Sequence, residues 1–101
     1  MRLLYFPFGK VFLIKGGKNM RRIGVVGAIL EEPSLCQEDF NRVVSEFKGI
    51  VKGRMGIPFE EGIGVICVTV IGELDEINSL TGKLGNIKHV QVKTSISKKE
   101  V

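Results

Sequence analysis

Residues 22–30 read RIGVVGAIL and residues 63–71 read IGVICVTVI, and in both runs almost every side chain is apolar. Successive side chains of a β-strand point to opposite faces of its sheet, so each run is apolar on both of its faces. Strands of this kind are typical of the middle of a sheet that is covered on both sides. The two runs therefore predict two central strands.

A helical pattern follows each of these runs. Ser34, with Gln37 three residues later, has the spacing of a capping box and predicts the start of the first helix. Gly49 predicts the end of that helix in a left-handed conformation. The second helix is predicted over residues 73–84. The apolar stripes at helical spacing are Cys36, Phe40, Val43, Val44 and Phe47 in the first helix, and Leu74, Ile77, Leu80 and Leu84 in the second.

Two further segments, residues 50–59 and 89–96, predict the remaining strands. Gly53 and Pro58 indicate that the first of them is an edge or bulged strand, and a hairpin turn is expected at residues 60–62. The resulting order, β-α-β-β-α-β, predicts a ferredoxin-like α+β fold with a four-stranded antiparallel sheet and two helices on one face. Right-handed crossovers place the first and third strands in the middle, where their composition also places them.

The composition of the central strands also predicts self-association. Because both helices cover one face of the sheet, one apolar set from each central strand is expected on the open face. A monomer rarely exposes an apolar patch of that size. We therefore expect a homodimer or a higher oligomer formed through sheet surfaces.

The charge distribution bears on nucleic-acid binding. Of the 15 basic residues, four precede Met20, whereas all 11 acidic residues follow it, so the remaining 11 basic residues are balanced. Phosphate-backbone binding requires clustered positive charge. We therefore expect residues 20–101, a single domain, not to bind duplex DNA directly.

Residues 1–19 differ in pattern from the rest. Their end, Lys15-Gly16-Gly17, can be encoded by a ribosome-binding sequence at the correct distance from Met20. We therefore expect Met20 to be the natural start and residues 1–19 to be a translated upstream leader. The alternative is a real N-terminal arm with an edge strand at Val11–Ile14.

Sequence features indicate a cytoplasmic protein that is not an enzyme. No apolar run approaches the about 20 residues that a membrane span requires, and residues 1–8 do not continue into an export signal. Cys36 and Cys67 fall in a predicted helix and strand, which favours buried free thiols over a disulfide. With His89 as the one histidine, we predict no catalytic set and no metal site, unless two subunits share one.

Two segments carry more sequence constraint than their predicted elements require. Residues 53–58 read GRMGIP, in which Arg54 offers a guanidinium for a carboxylate or a phosphate, or is a solvated edge charge. Residues 80–85 read LTGKLG and place Gly82 inside a helix, where glycine costs about 1 kcal/mol relative to alanine. Either something approaches Gly82 closely, or the helix frays towards Gly85.

These motifs, RMGIP at residues 54–58, LTGKLG at 80–85 and VKT at 92–94, resemble the family of proposed iron-only hydrogenase system regulators over residues 22–95. The resemblance implies an ACT-like fold related to the ligand-binding C-terminal domain of the nickel-responsive repressor. The chain lacks that repressor's DNA-binding ribbon and its metal-ligand histidines. We therefore expect neither direct repression of DNA nor nickel sensing.

The resemblance implies a homo-oligomeric regulator that senses a small-molecule effector, with no cofactor named. The alternative is an adaptor that docks on a hydrogenase maturation enzyme without a small ligand. By resemblance, the ligand lies near strand-to-helix loops and subunit interfaces, which indicates Arg54, Met55 and Ser34. Ser34 begins a helix whose free amides suit an anion. Thr81 and Lys83 are weaker candidates, because the negative end of a helix opposes an anion.

Overall fold

The structure, a computed structural model, describes residues 2–5, 11–14, 20–59 and 62–101. Its elements are β1 (Arg2–Tyr5), β2 (Val11–Ile14), β3 (Arg21–Glu31), α1 (Pro33–Glu46), β4 (Val51–Phe59), β5 (Ile63–Glu73), α2 (Leu74–Gly85) and β6 (Val90–Ile96). From β3 onward the order is the predicted β-α-β-β-α-β. The ferredoxin-like fold is therefore confirmed.

The main sheet has the strand order β4-β5-β3-β6, and every pairing in it is antiparallel. The two apolar runs thus form the central strands β3 and β5, as their composition predicts. The edge strand β4 carries an irregularity between Val51 and Gly53, where a bulge was expected. Val11–Ile14 is a strand, but it pairs with Arg2–Tyr5 in a separate two-stranded sheet and does not join the edge of the main sheet.

The core lies between one face of the main sheet and the two helices. Its members are Val26, Ala28, Leu30, Cys36, Phe40, Val43, Val44, Ile50, Ile66, Val68, Val70, Ile77, Leu80, Leu84 and Val90. The even-numbered residues of β3 and β5 face the helices, and both predicted helical stripes contribute to this core. Among the described residues, no polar or charged residue is buried.

The structure corrects two predicted ends of α1. The helix begins at Pro33 with Glu32 as its N-cap, so Ser34 lies inside the helix and its capping box is wrong. Proline suits the first helical turn, because its ring fixes φ and its missing N–H would have no partner there. The left-handed end at Gly49 is also wrong: α1 ends at Glu46, and among the described glycines only Gly62 has a positive φ.

The start of α2 carries the capping box that α1 lacks. The Glu73 side chain accepts a hydrogen bond from the backbone of Glu76, and the Glu76 side chain accepts one from the Glu73 N–H at 2.9 Å. This reciprocal pairing satisfies two amides that the helix leaves free. No helix in the described part of the chain is long and apolar enough to cross a membrane.

The central strands give the open face of the sheet an apolar patch, as predicted. We define the open face by the odd-numbered residues of β3, β5 and β6, together with Met55 and Ile57 of β4, which pair with Cys67 and Val65. Its large apolar side chains that are between 37% and 60% exposed are Ile23, Val25, Ile29, Met55, Ile57 and Ile63. In a single chain, this face has no helix or loop of the described residues packed across it.

Candidate ligand site

A cavity of about 270 Å³ opens between the first turns of α1 and the strands β4 and β5. It lies at this edge of the sheet because the core residues of α1 and α2 pack mainly on the central strands. Its lining residues are Leu30, Pro33, Gln37, Arg54, Gly56, Ile57, Ile63, Gly64, Val65 and Ile66. We call it the Arg54 cavity.

Two glycines leave space in the Arg54 cavity. A Cβ atom at Gly56 would have its nearest neighbours, Ile66 Cγ1 and the Val65 carbonyl oxygen, at 3.8 Å, which is ordinary contact. At Gly64 a Cβ atom would lie 3.4 Å from Pro33 Cγ. Side chains could be built at both positions, so the glycines are not forced by crowding. Because neither glycine has a side chain, the cavity stays open at these two positions.

Arg54 is held in place on the helix side of β4. It pairs with Val68, which is fully buried, so its side chain points towards α1. Its Nη2 donates a hydrogen bond to Asn41 Oδ1, and its Cζ lies 5.6 Å from the centroid of the Phe40 ring. A guanidinium has five N–H donors. One of these donors meets Asn41, and no carboxylate among the described residues forms an ion pair with Arg54.

Polar and apolar groups are unevenly distributed over the lining of the Arg54 cavity. Arg54 and Gln37 supply the polar side chains among the described lining residues, and the others are apolar or glycine. A ligand that fills this space therefore meets apolar surface over most of its body and a cation with an amide at one place. This arrangement is typical of pockets in which a few polar groups orient a mainly apolar molecule.

The structure separates Met55 and Ser34 from Arg54. Met55 points to the open face and is 60% exposed, because successive residues of a strand alternate between faces. Ser34 is exposed in the first turn of α1, and although its neighbour Pro33 lines the Arg54 cavity, Ser34 does not. Of the five predicted ligand residues, only Arg54 lines this cavity.

Thr81 and Lys83 lie on the other side of the domain, in α2. Thr81 Oγ1 is 2.7 Å from Thr94 Oγ1 of β6, so this hydroxyl ties the helix to the sheet. Lys83 Nζ is 3.4 Å from Glu46 Oε1 and 5.5 Å from the centroid of the Phe47 ring. Nothing described lies within 4 Å of a Cβ atom built at Gly82, so the close approach considered there is not seen.

Lys83 also lines a broader depression of about 470 Å³ between α1 and α2. Its charges are largely satisfied within the protein: besides the Lys83–Glu46 pair, Arg42 Nη1 lies 2.8 Å from Asp39 Oδ1. An anion would have to compete with these carboxylates. The Arg54 cavity is therefore the stronger candidate.

Sequence reasoning missed part of the lining of the Arg54 cavity. The sequence pattern indicates a capping role for Gln37 and places Gly64 in an apolar run, and neither signal points to a cavity. Gly56 lay in the RMGIP motif, which was the one available signal. The contact between β4 and the first turns of α1 is a tertiary feature that spacing along the chain does not reveal.

The two cysteines occupy different environments. Cys36 is buried, with its Sγ 3.7 Å from the Glu32 carbonyl oxygen, and burial together with the Asp39 carboxylate raises the pKa of its thiol above its ordinary value. A thiol held in its protonated form is a poor nucleophile. Cys67 is only half-buried, on the open face, so the prediction of two buried thiols is wrong for Cys67. Among the described residues, no three histidine, cysteine or acidic side chains are grouped to hold a metal ion.

Comparisons with known proteins agree with this fold. The profile of the TM1266-like family, described as proposed iron-only hydrogenase system regulators, matches residues 22–94. The chain belongs to this family. The solved structure of the uncharacterized protein TM1266 from Thermotoga maritima is similar, at 29% identity and a TM-score of 0.73, over 77% of this chain and 99% of that one. A search of the curated proteins finds no match.

Proposed function

We propose that this protein is a homo-oligomeric regulator of an iron-only hydrogenase system that senses a small ligand in the Arg54 cavity. Membership of the TM1266-like family supports the regulatory role. The observation that carries ligand sensing is the guanidinium of Arg54, which is held by Asn41 and Phe40 beside an open cavity. The family description is of a regulator, and we propose no catalytic step.

Self-association is proposed from the open face. Val25 and Ile29 of the central strand β3 are 47% and 42% exposed, and Met55 and Ile57 extend the apolar surface to the edge strand β4. A second copy of the chain would present the same surface about a two-fold axis and cover it. The proposed regulator acts through protein partners rather than through duplex DNA, since the charges after Met20 are balanced.

The alternative function is an adaptor that docks on a hydrogenase maturation enzyme without a small ligand. The same open face supports it, because an apolar surface can be covered by another protein as well as by a second copy. The two functions differ in one respect that can be measured. Only the regulator requires that a small molecule bind to the isolated protein.

A thermal-shift screen of amino acids, nucleotides, S-adenosylmethionine products and metal ions separates these functions. A ligand that binds the folded state raises Tm in proportion to the logarithm of its concentration above Kd. We expect the shift to be lost in Arg54→Ala and kept in Lys48→Ala, which removes an exposed charge outside the cavity. A broad screen without any concentration-dependent shift would leave the adaptor as the better account.

Sedimentation tests self-association independently. The full chain is expected to sediment as a dimer or a larger species at tens of micromolar, and Val25→Glu is expected to shift it to monomer by placing a charge in the covered face. Sedimentation of the unmodified chain as monomer alone would contradict the proposal. A matched control is Glu38→Gln on the exposed side of α1, which should leave the assembly unchanged.

A further inference from the structure

We infer that the Arg54 cavity selects a small organic anion with one carboxylate and an apolar body, and no ammonium group. The inference rests on the proposed function and specifies its ligand. It follows from three properties of the cavity: its size, the position of its single cation and the apolar character of its remaining described lining.

The size of the cavity limits the ligand. Pockets for drug-sized molecules typically measure about 300–1,000 Å³, and this one measures about 270 Å³. A nucleotide or a dinucleotide would therefore extend well outside it. A branched or linear acid of a few carbon atoms fits, and its apolar body would lie against a lining that includes Leu30, Pro33 and Ile66.

The charged end of the ligand is placed by Arg54. Its guanidinium is already oriented by Asn41 and the Phe40 ring, so little side-chain freedom is lost when a carboxylate binds. A carboxylate can accept two parallel N–H bonds from one guanidinium. Gln37, on α1, offers an amide donor at the same cavity.

The described lining residues disfavour ligands that carry a second carboxylate or an ammonium group. Arg54 is the one cation among the described lining residues, so a second carboxylate would find no cationic partner among them. No acidic residue is among them either, so the ammonium group of a free amino acid would give up part of its hydration without a counter-ion from these residues. A monocarboxylate therefore suits the cavity better than a dicarboxylate or a zwitterion of the same skeleton.

The test compares four probes by ligand-detected NMR titration of the full chain: 4-methylpentanoate, 4-methylpentanamide, leucine and inorganic phosphate. The first three share one carbon skeleton and differ in charge, and phosphate has charge without an apolar body. We expect 4-methylpentanoate to bind most tightly. Leucine or phosphate binding as tightly as the acid would overturn the inference.

Two variants test which part of the cavity binds the carboxylate of 4-methylpentanoate and which part binds its apolar body. Arg54→Ala should weaken the binding of 4-methylpentanoate about tenfold to a hundredfold, as expected for a lost hydrogen bond to a charged group. It should leave the binding of the neutral amide unchanged. Gly56→Val should weaken the binding of the acid and of the amide alike, because the new side chain fills the cavity. The fold has room for a Cβ atom at this position. Lys48→Ala should bind as the unmodified chain does. Equal binding of the acid to Arg54→Ala and to the unmodified chain would remove Arg54 from the site.

The result separates this inference from the proposed function. If the broad thermal-shift screen finds a stabilising ligand and none of the carboxylate probes binds, the ligand class is wrong while ligand sensing stands. If neither experiment finds a ligand, both the ligand class and ligand sensing are overturned.

Discussion

Along its two central strands the main sheet carries apolar residues on both faces, and the two faces differ in what covers them. On β3, Val26 points to the helices and is fully buried, whereas the adjacent Val25 points to the open face and is 47% exposed. On β5, Val68 is fully buried and the adjacent Cys67 is half-buried. Alternation along each strand distributes similar side chains into a packed core and an unpacked surface.

This difference shows what composition can and cannot decide. Apolar residues on both faces of β3 and β5 place these strands in the centre of the sheet, but the described residues cover only one face. The packed face stabilises the fold of each molecule by itself. The open face is only partly buried in a single chain, and any further stability that it gains from a second molecule must depend on protein concentration.

The largest effect is expected from the pair Val26→Ala and Val25→Ala. Removing the buried methyl groups of Val26 should lower the free energy of unfolding by about 2–3 kcal/mol, from lost burial and from the cavity left behind. The same change at Val25 should cost less than about 0.5 kcal/mol in a dilute sample. Chemical denaturation of both variants measures the difference.

Repeating these measurements at higher protein concentration sharpens the comparison. The loss at Val26 should stay constant, whereas the loss at Val25 should grow as molecules associate through the open face. A Val25→Ala loss that equals the Val26→Ala loss in dilute samples would show that the open face is already packed within one chain.

A second pair concerns glycines on the two faces. A Cβ atom at Gly72 would lie 2.7 Å from Ile50 Cγ2 and 3.0 Å from Glu76 Oε1, so Gly72→Ala should overpack the helix side and cost about 2 kcal/mol. A Cβ atom at Gly27 has as its nearest neighbour the Lys93 carbonyl oxygen, at 3.8 Å. Gly27→Ala should leave stability unchanged or raise it by a few tenths of a kcal/mol. Thermal unfolding of the two variants tests this, and equal losses would contradict it.

The fold was predictable from the sequence because its signals are local and repeated. The apolar runs, the helical stripes and the strand order all indicate the same architecture, and only helix ends such as Ser34 and Gly49 were misplaced. The site was less predictable. Arg54 was identified from its motif, but its partners Asn41 and Phe40 come from α1, and their approach depends on how that helix crosses the sheet.

The ACT-like assignment and all five predicted ligand residues, Arg54 included, stay predictions. The resemblance indicates both Arg54 and Met55, yet adjacent residues of a strand face opposite sides of the sheet. If Met55 has a role in binding, it acts from the open face, where it is 60% exposed and available to a second copy.

A smaller effect is expected from a pair of threonines. Thr81→Val removes the hydroxyl that lies 2.7 Å from Thr94 Oγ1 between α2 and β6, while it keeps the shape of the side chain. The loss of one hydrogen bond should cost about 1 kcal/mol. Thr69→Val, on the exposed side of β5, is the matched control and should change stability by less than about 0.5 kcal/mol. Equal values for the two variants in urea denaturation would show that the Thr81–Thr94 contact does not stabilise the fold.

The last pair, the two cysteines, reports on both faces without a large change in stability. Burial and, to a smaller extent, the Asp39 carboxylate raise the pKa of the Cys36 thiol above its ordinary value, so at neutral pH the folded chain holds a protonated, inaccessible thiol. As the pH rises past the ordinary thiol pKa, the unfolded chain loses this proton first, so the contribution of Cys36 to stability should fall as the pH rises from there through its folded pKa. Because Cys36 is buried and Cys67 is only half-buried, Cys67 should react with iodoacetamide before Cys36 in the folded protein. Its rate should fall as protein concentration rises if a second copy covers the open face, whereas the Cys36 rate should not change. Mass spectrometry of the labelled chain measures both rates. Faster labelling of Cys36 than of Cys67 would show that opening of the core beneath α1 exposes Cys36 more readily than the reagent reaches Cys67 on the open face.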